Sequence, residues 1–116
     1  MQNAVEASAP RGRILVADDE PHIRRILKTV LESGSFEVDT KPDGTAALEA
    51  VQGAEHYDLI LLDIMMPGAT GLKVLEQIRG MERLKSTPVV ILTAKGQDAD
   101  RQAALSLGAN DFLTKP

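Results

Sequence analysis

The chain has 116 residues, which is enough for one domain and too few for two ordinary hydrophobic cores. Hydrophobic residues make up 43% of the sequence and aromatic residues only 3%, so the core must consist of aliphatic side chains, which favours an α/β fold over an aromatic-rich β-barrel. The net charge of -4 opposes nucleic acid as a partner, and the absence of cysteine excludes disulfides and thiolate chemistry and favours a cytoplasmic location.

The N-terminal residues have no hydrophobic period and end in Pro and Gly, which predicts a flexible leader over 1–12 and a domain over 13–116. No segment has the length and apolar character of a membrane span, and the N-terminus lacks the pattern of a signal peptide, so we expect no membrane partner. From Arg13 onward, short apolar runs alternate with segments of helical period. Strands are predicted at 14–17, 36–40, 59–62, 89–92 and 111–114.

Helical patterns lie between the predicted strands. The first has Pro21 in its first turn and Gly34 at its end. Its apolar face consists of Ile23, Ile26, Leu27, Val30 and Leu31. Further helices are predicted at 44–52, 71–81 and 98–107, and Gly108 supplies a C-cap for the last of them.

The alternation of strands and helices predicts a parallel sheet with right-handed crossovers. The runs at 14–17, 59–62 and 89–92 are apolar throughout, as expected of strands covered on both faces, whereas 36–40 alternates and 111–114 is short and mixed. We therefore predict a doubly wound, flavodoxin-like α/β fold with the strand order 2-1-3-4-5. A site is expected at the carboxyl ends of strands one and three, where the strand order reverses.

Three carboxylates follow the two strands that meet at this point. Asp18 and Asp19 come directly after the first strand, and Asp63 comes after the third. Carboxylates this close repel one another, so the cluster needs a compensating proton or cation, and oxygen ligands without His or Cys select Mg²⁺ or Mn²⁺. Taken singly, Asp19 is expected to cap the helix at Pro21 and Asp63 to initiate a turn. The convergence of all three at the switch point favours a metal site.

Two more polar residues lie at strand ends on the same edge. Thr93 closes the fourth strand and Lys115 follows the fifth. Each alone is ordinary at such a position, Thr as a β-branched strand residue and Lys as a solvated charge. Together with the acids they supply the groups that phosphoryl transfer needs: a nucleophilic carboxylate, a divalent cation, and an ammonium and a hydroxyl that hold the equatorial oxygens.

The segments around these residues resemble those of response-regulator receiver domains. The first strand is followed by AspAspGlu, the third ends in LeuLeuAspIleMetMetProGly, the fourth ends in LeuThrAla, and the chain closes with PheLeuThrLysPro. The resemblance extends over 13–116. It implies a signalling module that is switched by phosphorylation, and not an enzyme acting on a separate substrate.

The resemblance also implies a role for each residue. Asp63 is the expected phosphoacceptor, and Lys115 is expected to contact the phosphoryl group, with a cis bond to Pro116 that aims its ammonium inward. Thr93 is expected to close on the phosphoryl group. The expected ligands of the metal ion are Asp18, Asp19, Asp63 and the backbone carbonyl of Met65.

The implied mechanism defines partners and a switch. The expected phosphoryl donor is a sensor histidine kinase, a histidine phosphotransfer protein or a small acyl phosphate, and the expected target is an output domain or protein. Phe112 would change rotamer together with Thr93 and the loop at 94–98, although Phe112 is nearly as well explained as an ordinary core aromatic. Met65 and Lys95 flank the path of hydrolytic water and neither can orient it, which predicts slow self-hydrolysis of the phosphoryl group.

The sequence departs from the family at its end. Receiver domains continue past the LysPro into a fifth helix, which with the first helix covers one face of the sheet, whereas the chain stops at Pro116. We expect apolar side chains of strands one, three and five to lie open to water, at a cost of about 25 cal/mol for each Å² left uncovered. The chain would then be a fragment, or another chain would cover the bare face, as in a dimer.

Two other functions stay open. A phosphohydrolase of the haloacid-dehalogenase type also uses an Asp nucleophile with Mg²⁺. In that family the nucleophile follows the first strand and a second Asp stands two positions later, whereas this sequence has Asp18 followed by Glu20. The chain also has no room for a substrate cap. An interaction module that keeps the acids without being phosphorylated is the other alternative. Dinucleotide binding is excluded because no GlyXGlyXXGly follows the first strand.

Overall fold

The computed structural model describes residues 10–53, 56–94 and 98–115. These residues form a five-stranded sheet. Its strands are β1 (Arg13–Ala17), β2 (Glu37–Lys41), β3 (Leu59–Asp63), β4 (Val89–Thr93) and β5 (Asp111–Thr114). All neighbouring strands are parallel, in the order β2-β1-β3-β4-β5. The predicted fold class and strand order are confirmed.

Four α-helices connect the strands. They are α1 (Pro21–Ser33), α2 (Gly44–Gln52), α3 (Gly71–Arg79) and α4 (Asp98–Ser106). A short 3-10 helix at Glu82–Leu84, which the sequence did not predict, follows α3. The third helix ends earlier than predicted because Gly80 closes it, with its N–H donating to the carbonyls of Glu76 and Gln77.

Local sequence explains where several helices begin and end. Asp43 caps α2 by accepting a 2.8 Å hydrogen bond from the N–H of Ala46, and Thr70 caps α3 by accepting one of 3.2 Å from the N–H of Lys73. Gly108, after α4, has a φ of 104°, in the left-handed region that glycine adopts without strain. The predicted C-cap of the last helix is therefore confirmed.

The sheet separates two hydrophobic clusters. Because successive side chains of a strand point to opposite faces, Leu15 belongs to the larger cluster and Ile14 to the smaller one. The larger cluster joins β-strand residues, including Phe112, to buried residues of α2, α3 and α4. On the other face, α1 packs Leu27 and Leu31 against the smaller cluster.

The predicted apolar face of α1 is only partly covered. Ile23 is buried and Leu27 and Leu31 are half-buried. Ile26 and Val30 remain 42% and 58% exposed. The helical period therefore identified an apolar stripe that is wider than the sheet surface beneath it.

The bare sheet face expected from the missing fifth helix is found only in part. The expectation is wrong for the first and third strands, where Ile14, Val16 and Leu61 are all buried. It is confirmed for the fifth strand, where Leu113 is 48% exposed. The difference arises because α1 lies over β1 and β2 and its leucines cover the cluster to which the central strands contribute.

Some predicted features lie outside the described residues, namely residues 1–9 of the leader, Lys95 and its neighbours at 96–97, and the bond to Pro116. At the end of the predicted leader, Arg11 donates its N–H to the carbonyl of Ser35 at 2.8 Å, and the carbonyl of Gly12 accepts from Glu37 at 2.9 Å. No helix in the described part of the chain is long and apolar enough to cross a membrane.

Candidate functional site

A crevice of about 630 Å³ opens at the carboxyl ends of the central strands. Parallel strands end at the same edge of a sheet, so residues far apart in the sequence meet there. The crevice is lined by Asp19, Glu20, Asp63, Ile64, Met65, Thr93, Ala94, Asp100 and Lys115. This is the edge at which the sequence pattern places the site.

The loop after β1 is held by hydrogen bonds on both sides. The N–H of Asp18 donates to the carbonyl of Lys41 at 3.1 Å, and Arg24 Nη1 donates to the carbonyl of Asp18 at 2.6 Å. The Asp18 side chain is fully buried, and its Oδ1 accepts from the N–H of Glu20 at 2.8 Å. Glu20, and not Asp19, occupies the N-cap position of α1 and makes no side-chain capping bond, so the helix-capping alternative for Asp19 is wrong.

Asp63 is the last residue of β3 and is buried. The chain leaves the strand through Ile64, whose N–H donates to the carbonyl of Leu92 at 2.9 Å and whose carbonyl accepts from Gly71 at 3.0 Å. Glycine is required at this close approach, because a Cβ on Gly71 would lie 2.3 Å from the carbonyl oxygen of Asp63. The N–H of Met65 lies 3.4 Å from Asp63 Oδ1, so the turn-initiating alternative accounts for this oxygen. It does not account for Oδ2, which faces Lys115.

Lys115 contacts three carboxylates of the site. Its Nζ lies 3.2 Å from Asp18 Oδ2 and 3.4 Å from Asp63 Oδ2, and it donates a still shorter hydrogen bond to Glu20 Oε1. The Lys115 side chain is only 7% exposed. Its backbone N–H donates to the carbonyl of Thr93 at 2.7 Å, which holds the buried Thr93 beside it.

Burial and charge shift the pKa values of these groups. Burial raises the pKa of Asp63 from 3.8 to about 6, the charge of Asp18 adds to the rise, and Lys115 opposes it. Burial alone would lower the pKa of Lys115, but its contacts with Glu20, Asp18 and Asp63 outweigh burial and raise it. The hydrogen bond and charge of Lys115 lower the pKa of Glu20. Among the described residues, the site therefore holds more carboxylate charge than Lys115 can balance.

The acidic cluster fits a divalent cation. Asp18, Asp19 and Glu20 each offer one carboxylate oxygen, and these oxygens lie within 4.8 Å of one another. Within the described residues, the buried Asp18 Oδ2 has an ion-pair contact with Lys115 at 3.2 Å but no directed hydrogen bond. A buried carboxylate oxygen with spare capacity, among other oxygens and without His or Cys, is typical of Mg²⁺ or Mn²⁺ sites.

The structure brings most of the predicted site residues together. Those at or around the crevice are Asp18, Asp19, Asp63, Met65, Thr93 and Lys115. Phe112 lies instead in the larger hydrophobic cluster, paired with Ile91 in the sheet, as the core-aromatic interpretation requires. Its rotamer change stays a prediction.

Two acidic residues of the crevice, Glu20 and Asp100, were not predicted as site residues. Glu20 was visible in the sequence as the third acid of AspAspGlu. Asp100 had no such signal, because it lies within α4 and follows no strand. The order of residues along the chain could therefore have identified Glu20 but not Asp100.

Comparison with known proteins gives a family. Residues 14–116 match the response regulator receiver domain. The transcriptional regulatory protein ResD of Bacillus subtilis is 45% identical over 105 residues, which are 90% of this chain and 42% of ResD. The chemotaxis protein CheY4 of Vibrio cholerae superposes with a TM-score of 0.86 at 31% identity, over 93% of this chain and 88% of that chain.

A solved metal-bound structure is also similar. The Mn(2+)-bound form of the response regulator Rcp1 superposes with a TM-score of 0.83 at 33% identity, over 90% of this chain and 81% of that chain. The chain spans less than half the length of curated relatives such as ResD.

Proposed function

Because the chain belongs to the response regulator receiver family of two-component systems, we propose that it is a signalling switch that accepts a phosphoryl group on Asp63. The observation that carries the proposal is the place of this carboxylate: it is buried at the end of a central strand, faces the crevice and lies 3.4 Å from Lys115 Nζ. The haloacid-dehalogenase alternative is not favoured, because the similar proteins are response regulators.

We propose that Mg²⁺ or Mn²⁺ binds on Asp18 and Asp19 of the acidic cluster together with Asp63 and the carbonyl of Met65, whereas Glu20 pairs with Lys115. When bound, the ion would neutralise carboxylate charge and polarise phosphoryl oxygens. The spare capacity of the buried Asp18 Oδ2 supports this assignment. The binding of Mn(2+) by the related Rcp1 supports it as well.

The transfer step uses the carboxylate of Asp63 as nucleophile. Its pKa of about 6 leaves it ionised at neutral pH, so it needs no separate base. A carboxylate oxygen attacks phosphorus, the bond from phosphorus to the donor's imidazole nitrogen or acyl oxygen breaks, and that group leaves with the electron pair. Lys115 and Thr93 lie on the same rim, where they would donate to the equatorial oxygens.

The donor is a histidine kinase or phosphotransfer protein, and a small acyl phosphate can replace it. We place the exchange in the cytoplasm, with an output domain or protein as the target. New hydrogen bonds from Thr93 and Lys115 to the phosphoryl oxygens would shift the β4–α4 segment and change the surface near it. Because the exposed Met65 has no group that orients water, we expect slow self-hydrolysis of the phosphoryl group; loss within seconds would contradict this.

Phosphorylation by acetyl phosphate tests the proposal. With Mg²⁺ present, the chain should gain the mass of one phosphoryl group in an acid-labile form, and Asp63→Asn should gain none. Asp111→Asn is the matched control, because Asp111 begins β5 at the end of the strand opposite the crevice, where its Oδ1 accepts from the N–H of Phe112. This control should be modified like the wild type.

Beryllium fluoride, a phosphoryl mimic, gives a second measurement on the same variants. It should shift the NMR spectrum of the wild type and of Asp111→Asn and leave Asp63→Asn unchanged. A wild-type chain that responds to neither reagent would contradict the proposal and would leave only an interaction module.

A further inference from the structure

The partners of Lys115 differ in how firmly they are held. An ammonium has three N–H donors, and in the resting site three carboxylates surround Nζ: those of Asp18, Asp63 and Glu20. The side chains of Asp18 and Asp63 are 0% and 4% exposed, whereas that of Glu20 is 45% exposed. Glu20 is therefore the one partner that is already in contact with water.

A phosphoryl group on Asp63 changes this arrangement, because it brings three strong acceptor oxygens to the site. Lys115 can turn a donor to one of them only if an existing partner gives way. Asp18 is fully buried and is anchored by the N–H of Glu20, so withdrawing it would leave a buried charge uncompensated. Glu20 makes no capping bond to α1, so its side chain is free of that restraint and can turn into water.

We propose that Glu20 is a positioning residue that holds Lys115 Nζ in the resting site and releases it when a phosphoryl oxygen arrives at Asp63. This inference rests on the proposed function of Asp63. No proton moves in the exchange: one hydrogen bond from Nζ to Glu20 Oε1 is replaced by one from Nζ to a phosphoryl oxygen. In the resting site Glu20 thus competes with the phosphoryl group for the lysine, so it weakens the binding of a phosphoryl mimic.

The variant Glu20→Gln tests this competition, because glutamine has the size of glutamate and lacks its charge. Binding of beryllium fluoride at saturating Mg²⁺ is measured by ¹⁹F NMR titration. The apparent Kd of Glu20→Gln should fall about twofold to fivefold below that of the wild type, the range of a partly exposed ion pair. Glu32→Gln is the matched control, because Glu32 is 46% exposed and pairs with Lys28 at 2.8 Å outside the crevice, and its Kd should change by less than about twofold.

The ammonium of Lys115 gives a readout that a purely structural role of Glu20 would not move. In lysine labelled with ¹⁵N, the Lys115 Nζ signal should differ between the wild type and Glu20→Gln in the free proteins. It should coincide in the two complexes with beryllium fluoride, because Glu20 is then no longer a partner. An equal offset in free and bound proteins would overturn the proposal.

The outcomes separate this inference from the proposed function. A wild-type chain that binds no beryllium fluoride would contradict the role of Asp63 and, with it, the inference. If the wild type binds and Glu20→Gln shows no larger change in Kd than Glu32→Gln, only the role of Glu20 is overturned.

Discussion

The backbone N–H of Lys115 donates to the carbonyl of Thr93 at 2.7 Å. This bond extends the ladder between β4 and β5, in which Thr93 pairs with Thr114, by one residue past the last strand pair. The ammonium and the hydroxyl of the site are thus placed by backbone pairing. The electrostatic energy of the site depends instead on the excess of carboxylate charge around Lys115.

The first prediction concerns the cost of the Asp63 carboxylate in the metal-free protein. Asp63→Asn should raise the free energy of unfolding by about 1–3 kcal/mol at pH 7.5, because it removes a buried charge whose pKa is raised to about 6. Urea unfolding in the presence of EDTA measures the change. Asp58→Asn, which changes an exposed acid at the other end of β3, should not stabilise the protein, since Asp58 accepts a hydrogen bond from the N–H of Arg13.

The stabilisation by Asp63→Asn should also depend on pH. The folded pKa of Asp63 lies above the ordinary value of 3.8, so between these values the folded protein holds a proton that the unfolded chain has lost. The wild type therefore loses stability as pH rises from about 4 to 6 relative to Asp63→Asn. The gain from the variant should be largest above pH 7 and should shrink toward pH 4; a gain independent of pH would contradict the raised pKa.

The order of strands and residues along the chain was sufficient to predict the site residues that lie at the ends of paired strands. The continuous apolar runs identify β1, β3 and β4 as central strands, and the residues that follow β1 and β3 are then bound to meet. Glu20 was missed because its contact depends on a lysine 95 residues further along the chain. Such a contact depends on the directions in which the side chains of Glu20 and Lys115 turn, which strand order does not determine.

The first helix shows a second limit of sequence patterns. The 3.6-residue period found its apolar stripe, but Ile26 and Val30 are exposed because the sheet lies under only part of that stripe. The bounds of α3 show the same limit at a smaller scale. Its apolar period continues to Met81, whereas Gly80 stops the helix through hydrogen bonds of its own N–H.

The second prediction is that Mg²⁺ stabilises the chain. A cation at the acidic cluster relieves repulsion that exists only in the folded state, so a concentration tenfold above its Kd should add about 1.4 kcal/mol to the free energy of unfolding. Asp18→Asn should abolish this increment, because Asp18 supplies the buried oxygen with spare capacity. Potassium chloride at equal ionic strength is the control for screening. An equal increment from that salt would argue against a specific site.

The third prediction tests the charge balance by removing the lysine. Lys115→Met should lower the free energy of unfolding by roughly 3 kcal/mol at pH 7.5 without metal, because the buried carboxylates of Asp18 and Asp63 lose their cation. In this background Asp63→Asn should stabilise the protein by about 1 kcal/mol more than it does in the wild type, since it no longer sacrifices an ion pair. Additive effects in this double-mutant cycle would show that Lys115 and Asp63 are not coupled.

The last prediction concerns the backbone that holds Asp63. In Gly71→Ala the new Cβ would lie 2.3 Å from the carbonyl oxygen of Asp63, so the loop after β3 must move. We expect a loss of about 1–3 kcal/mol in the free energy of unfolding, from overpacking, and weaker binding of beryllium fluoride, because the phosphoacceptor is displaced.

Gly80→Ala is the matched control for that variant. Gly80 closes α3 in a right-handed helical conformation, and a Cβ there would meet its nearest neighbour, the carbonyl oxygen of Gln77, at 3.5 Å. Alanine fits this conformation and restricts the unfolded chain, so its free energy of unfolding should stay the same or rise by up to about 1 kcal/mol. Beryllium fluoride binding should be unchanged in Gly80→Ala. Equal losses of stability and binding in both variants would show that the contact of Gly71 with the Asp63 backbone does not hold the phosphoacceptor in place.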